Sequence, residues 1–188
     1  VSTFETAEWL GLNQSYLNEA VARVRELLER HIDRSRDEAP LKIPDSGRST
    51  RDIPETETGP GFSPALETLC QLFSLSAFER NILLLCVGME LDADFSLLCA
   101  NIQQDNRRHS PTFSLAMAVF PEAHWSALSP AGPLRYWRMI ETGHSENLTT
   151  APLKIDERIL HYLTGVQYID ERIAGFVRPV PPSADLVP

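Results

Sequence analysis

The run Leu75–Asp92, L-S-A-F-E-R-N-I-L-L-L-C-V-G-M-E-L-D, is the most apolar stretch of the chain, and its reading decides the fold. Three identities compete for it: a membrane span, a helix presenting a reactive cysteine, or the centre of a core. Ser76 and Glu79 have the spacing of a capping box, in which the Ser hydroxyl takes the Glu amide while the Glu carboxylate returns to the Ser amide. Glu79 and Arg80 therefore mark a helix start. The uncharged run that follows, Asn81 to Met89, is nine residues long. A membrane helix needs about twenty, so the membrane reading fails.

Phe78, Ile82, Leu83, Leu85, Cys86, Val87 and Met89 cover most of the circumference of this helix, so the sequence predicts a core helix surrounded by others. Cys86 has no Lys, Arg or His within a turn to stabilise a thiolate and reads as a packing residue. Cys70, Cys86 and Cys99 lie 16 and 13 residues apart, without the short spacing of a zinc or redox site. Their odd count, with no charged-then-apolar leader at the N-terminus, predicts reduced thiols and a cytoplasmic setting.

Before the core helix, S-P-A-L-E-T-L-C-Q-L-F places Ser63 ahead of Pro64 at a first helical position, with Leu66, Leu69, Cys70 and Phe73 on one face. Further back, Leu17, Val21, Val24, Leu28 and Ile32 recur at spacings of four, three, four and four, predicting an amphipathic helix capped by Asn13 or Ser15. Glu19 with Arg23 and Glu26 with Arg30 are correctly ordered pairs on its outer face. Between Asp33 and Gly61 four prolines and three glycines replace the periodicity, which reads as a linker or long loop.

After the core helix, D-A-D-F-S-L-L-C-A-N-I reads as a helix opened by Asp92 or Asp94, N-R-R-H-S-P as a break, T-F-S-L-A-M-A-V-F as a short helix and P-E-A-H-W-S-A-L as another beginning at Pro121. L-R-Y-W-R-M-I-E and A-P-L-K-I then have strand character around the polar turn T-G-H-S-E-N-L-T-T. Helices followed by a hairpin outline a winged helix. I-D-E-R-I occurs at Ile155–Ile159 and again at Ile169–Ile173, each Asp suited to cap a helix and Gly165 to end the first. The fold class is thus mainly α, a helical winged-helix-like domain with a small β-hairpin wing over 62–175. An amphipathic helix over 1–32 and the 33–61 linker precede it, and a Pro-rich tether over 176–188 follows.

Chemistry is sparse. No phosphate-binding G-x-x-x-x-G-K-[ST] occurs, and His31, His109, His124, His144 and His161 lack metal-ligand spacing. Asp92 and Asp94 form an acidic pair that helix capping explains. No catalytic, cofactor-binding or metal residue is assigned. The net charge of −9 and pI near 5.0 are a poor footprint for nucleic acid, and residues 62–175 hold 8 basic against 13 acidic side chains. Arg107 and Arg108, beside His109, are the one local basic cluster and the candidate partner contact. The expected recognition element, P-T-F-S-L-A-M-A-V-F, offers no Arg, Lys, Asn or Gln to read bases, which makes DNA binding the alternative to protein binding rather than the first choice.

The phrases L-E-T-L-C-Q-L-F-S-L-S-A-F-E-R-N-I-L-L-L-C-V-G-M-E-L-D, A-H-W-S-A-L-S-P-A-G-P-L-R-Y-W-R-M-I-E and P-L-K-I-D-E-R-I-L-H-Y-L-T-G resemble the region preceding the ATPase module in AAA+ ATPases of bacterial contractile injection systems, the phage-tail-like particles. The resemblance covers Phe62 to about Arg172. It implies a non-catalytic N-terminal domain that recruits or positions a protein partner such as a particle component. In the parent, a downstream motor binding ATP and Mg would form a homo-oligomeric ring. The chain starts at Val1 and stops at Pro188 before any Walker motif, so those activities are expected outside it.

Overall fold

A computed structural model describes residues 3–37 and 62–166. In chain order the helices are α1 (Thr3–Asp37), α2 (Ala65–Leu72), α3 (Ala77–Leu91), α4 (Phe95–Gln103) and α5 (Phe113–Val119). A 3₁₀ turn (Trp125–Leu128), α6 (Pro133–Tyr136), strands β1 (Ile140–Thr142) and β2 (Leu153–Ile155), and α7 (Glu157–Leu163) complete the order. The fold is mainly helical with a small antiparallel hairpin, as the sequence predicts.

The core helix α3 starts where the capping box places it. The Glu79 amide donates to Ser76 Oγ at 3.1 Å, and the Ser76 amide donates to Glu79 Oε2 at 2.9 Å. Phe78 and every residue from Asn81 to Gly88 are buried, with α1, α4, α5 and β2 packed around them. Gly88 is required at its position because a Cβ there would overlap the Phe95 ring of α4.

Helix α1 lays Leu17, Val21, Val24 and Leu28 on α3 and α4, so its stripe closes onto the same core. It begins at Thr3 and runs to Asp37, past the predicted end at Ile32. Asn13 is therefore no cap. It sits inside the helix at 1% exposure, where its Nδ2 donates to the Leu163 carbonyl at 2.8 Å and its Oδ1 accepts from the Ala65 amide, also at 2.8 Å. One amide side chain thus fills two vacant backbone groups, at the start of α2 and the end of α7.

A second tie crosses three helices, with Tyr16 of α1 donating to Glu67 of α2 at 2.8 Å and Arg80 of α3 pairing with Glu67 at 2.9 Å. A third joins Arg25 to Asp92 at 2.8 Å and to Asp94 at 3.0 Å. These carboxylates were expected to cap α4. Asp94 instead makes no side-chain cap bond, and Asp92 accepts the Asp94 amide while both turn to the guanidinium.

The hairpin pairs Ile140 with Ile155, Glu141 with Lys154 and Thr142 with Leu153. Thr112 bridges to Pro152, so the residue before α5 acts as a third strand position. Two expectations fail nearby. The predicted helix from Pro121 reduces to the 3₁₀ turn, because Glu122 adopts a left-handed φ of 55° that no helix can propagate. The strand predicted from Leu134 begins only at Ile140, because Gly132 and Pro133 start α6 first.

Among the described residues, four helix ends share the Schellman geometry, in which the second amide beyond the helix bonds back five residues. The bonds are Leu75 to Cys70, Asp105 to Ala100, Met139 to Leu134 and Val166 to His161. Gly165 supplies the left-handed residue at the last, as predicted, while Ser74, Gln104 and Arg138 supply it elsewhere. Pro64 stands at the N-cap of α2 instead of its first turn. Asp156 caps α7 through the Arg158 amide as expected, whereas the second I-D-E-R-I, the 38–61 part of the linker and the Pro-rich tether lie outside the described residues.

Candidate interaction surface

The element immediately before the hairpin is α6, and it is built to expose aromatic rings. Leu134 is fully buried and anchors the turn, while the Arg135 guanidinium donates to the Leu128 carbonyl at 2.7 Å. That anchoring turns the next residues outward: Tyr136 is 64% and Trp137 54% exposed. Their rings meet edge to face at 5.0 Å and 87°. Trp137 also leans on Phe73, at the end of α2, at 5.2 Å and 60°. Leu72 beside Phe73 is 71% exposed, and Trp125, on the 3₁₀ turn that packs against α6, is 63% exposed.

Arg138 closes this element at a φ of 52°, exposed, in the position glycine usually takes. The left-handed conformation costs a non-glycine residue about 1–2 kcal/mol. From Ala123 to Ile140 there is no Asp or Glu, only Arg135, Arg138 and His124, although the chain as a whole carries −9. An apolar aromatic surface with a cationic edge thus interrupts an acidic protein.

His124 lies beneath this surface, with Nε2 2.9 Å from Ser76 Oγ and Nδ1 2.8 Å from Ser126 Oγ, its ring edge-on to Phe78 at 5.3 Å. A serine beside an imidazole is the geometry of an activated nucleophile. Here the Ser76 oxygen is occupied as the acceptor of the α3 cap, so the trio reads as a brace between α3 and the 3₁₀ turn.

The three cysteines are free and buried. Burial pushes the Cys70 thiol up to about 11 and the Cys99 thiol up to about 12, and raises that of the fully enclosed Cys86 further still. None is poised as a thiolate. A cleft of about 420 Å³ between the end of α3 and the hairpin, bordered by Met89, Pro111 and Pro152, comes near Cys86, which stays buried at 1% exposure. No group of three or more His, Cys, Asp or Glu able to hold a metal ion occurs among the described residues. His109 and His144 are exposed, His161 sits 3.5 Å from Glu157, and His31 lies on the last third of α1.

Arg107 and Arg108 fall on the loop between α4 and α5, where Arg108 pairs with Asp105 at 3.4 Å and the Arg107 amide donates to the same carboxylate. The expected recognition element, α5, turns Phe113, Leu115, Ala116 and Val119 into the core. Because the Thr112 bridge fixes α5 directly after the first strand position, the element that precedes the hairpin is α6. The sequence signal was R-Y-W-R, Arg135–Arg138, which strand-like aromatic content concealed.

Residues 17–177 match the family described as "Winged helix domain, variant". No curated protein and no solved structure matches. No helix among the described residues is long and apolar enough to cross a membrane.

Proposed function

The chain belongs to the family "Winged helix domain, variant", and from that premise we propose that it is a non-catalytic docking domain that binds a protein partner through the α6 surface. The observation that carries the reading is the exposed Tyr136–Trp137 pair at the element before the hairpin, continued by Phe73 and Leu72. Soluble domains bury such rings unless a partner covers them, and aromatic residues with arginine are the side chains that dominate protein interfaces.

The sequence resemblance adds the setting: the N-terminal region of a cytoplasmic AAA+ ATPase of a contractile injection system. Its partner would be a particle component held near a ring that binds ATP and Mg. A winged domain joined to the motor in one chain would raise the local concentration of that partner there. Reading the parent gene beyond Pro188 for a phosphate loop tests this setting.

The test of docking is affinity capture from the native host with the wild-type chain and with a Tyr136→Ala/Trp137→Ala variant. A protein recovered by the first and lost by the second supports the reading. Equal recovery by both overturns it.

DNA binding is the second reading, favoured by the family architecture and by Arg138 on the element before the hairpin. It requires a salt-sensitive gel shift that weakens when Arg107 and Arg108, or Arg138, are removed.

A further inference from the structure

From the charge and shape of the α6 surface we infer the chemistry of its partner: a short acidic protein segment carrying aliphatic or aromatic anchors. The inference rests on the docking reading and extends it to the identity of the bound group. Three observations carry it.

The first is electrostatic. Eighteen consecutive residues, Ala123–Ile140, contain two arginines and no carboxylate, in a chain with 26 acidic residues. Glu122 and Glu141 bracket the run, and within it an acidic segment would meet two arginines and no opposing carboxylate, unlike much of an acidic chain.

The second is the state of the arginines. Arg135 already gives one guanidinium nitrogen to the Leu128 carbonyl, so its fork is fixed in direction, while Arg138 stands exposed on a left-handed backbone position. Arg138 follows Trp137 directly in the chain. One fixed and one exposed guanidinium fit one or two carboxylates beside an apolar anchor.

The third is ring geometry. Trp137 meets Tyr136 at 87° and Phe73 at 60°, so the rings are tilted to one another rather than offering parallel faces. Stacking platforms for single-stranded nucleic acid need open, parallel-accessible faces and a long cationic track. Leu72 adds aliphatic surface that bases do not use. Tilted rings beside an aliphatic side chain suit Leu, Ile or Met anchors instead.

The experiment selects random short peptides displayed against the intact chain, with the enriched pool then titrated against wild type, Trp137→Ala and Arg138→Glu. A fluorescent oligothymidylate is titrated in parallel. The expected pool is rich in Asp and Glu next to aliphatic or aromatic residues, and both variants weaken it by about tenfold or more. A patch-dependent pool without acidic bias, or one indifferent to Arg138→Glu, overturns the inference and leaves the docking reading standing. If no pool depends on Trp137 the inference is overturned as well. Oligothymidylate binding that Trp137→Ala abolishes would then remove the docking reading with it. Both substituted residues are exposed, so loss of folding does not confuse the outcome.

Discussion

Asn13 and Leu163 stand 150 positions apart and are joined by a buried hydrogen bond of 2.8 Å from the Asn13 Nδ2 to the Leu163 carbonyl. The same side chain accepts the Ala65 amide. The start of α2 and the end of α7 are therefore both held by one residue of α1, and among the described residues no buried side-chain nitrogen or oxygen lacks a partner.

Replacing Asn13 strands two buried backbone groups at once. Each orphaned group costs about 1–3 kcal/mol, so Asn13→Ala loses more stability than a lone cap would. Asn13→Asp keeps the acceptor for the Ala65 amide but sets a buried carboxylate against the Leu163 carbonyl, and loses at least as much as Asn13→Ala. Urea unfolding of the three proteins gives the order, and hydrogen exchange places the earliest loss in α7.

The α3–α4 contact allows no extra atom at Gly88. Gly88→Ala drives a methyl into the Phe95 ring and costs about 1–3 kcal/mol through overpacking. Leu84→Ala on the same helix leaves a cavity and costs about 2–5 kcal/mol. Thermal unfolding separates both from an exposed control such as Ser114→Ala, which stays near wild type.

Arg138 carries a backbone cost that its position in the candidate interface would justify. Arg138→Gly relieves about 1–2 kcal/mol of left-handed strain and adds about 0.5–1 kcal/mol of unfolded-chain entropy, so the variant gains up to about 1.5 kcal/mol. Gln104→Gly, at the same geometry on α4, gains as much. Only the Arg138 variant should lose partner binding. Parallel stability and binding titrations would distinguish a functional residue from an ordinary helix end.

The buried thiols make a prediction in alkali. A thiol whose folded value is raised stabilises the protein fully below the unfolded value of about 8.5 and loses that contribution as pH rises. Stability therefore declines from about pH 8.5 toward the Cys70 value of about 11. At neutral pH a thiol reagent titrates none of the three cysteines in the native protein and all three in denaturant.

Asp156 works in the opposite direction. Burial alone would raise its carboxyl, but bonds from the Arg158 side chain and from the Arg158 and Ile159 amides outweigh that and hold it below the usual 3.8. Its contribution is complete above that pH and fades as acid passes the folded value. Asp156→Asn flattens this limb of the acid unfolding curve and weakens protection of the α7 amides.

What the sequence determined by itself was whatever short-range rules decide. The Ser76–Glu79 box, the apolar circumference of α3, the Asp156 cap and Gly165 stop of α7, and the two hairpin segments each depend on residues within a few positions of one another. Helix ends at Ser74, Gln104 and Arg138 were hidden because tertiary packing imposes there a conformation that their side chains do not advertise. Tertiary structure alone decided that Asn13 is a fastener rather than a cap, and that Asp92 and Asp94 face Arg25. It also decided that α5 turns inward while Tyr136 and Trp137 face solvent. The physical reason is that burial and hydrogen-bond partnership are set by which segments cover each other, and a covering segment lies dozens of positions away, beyond the reach of periodicity or spacing.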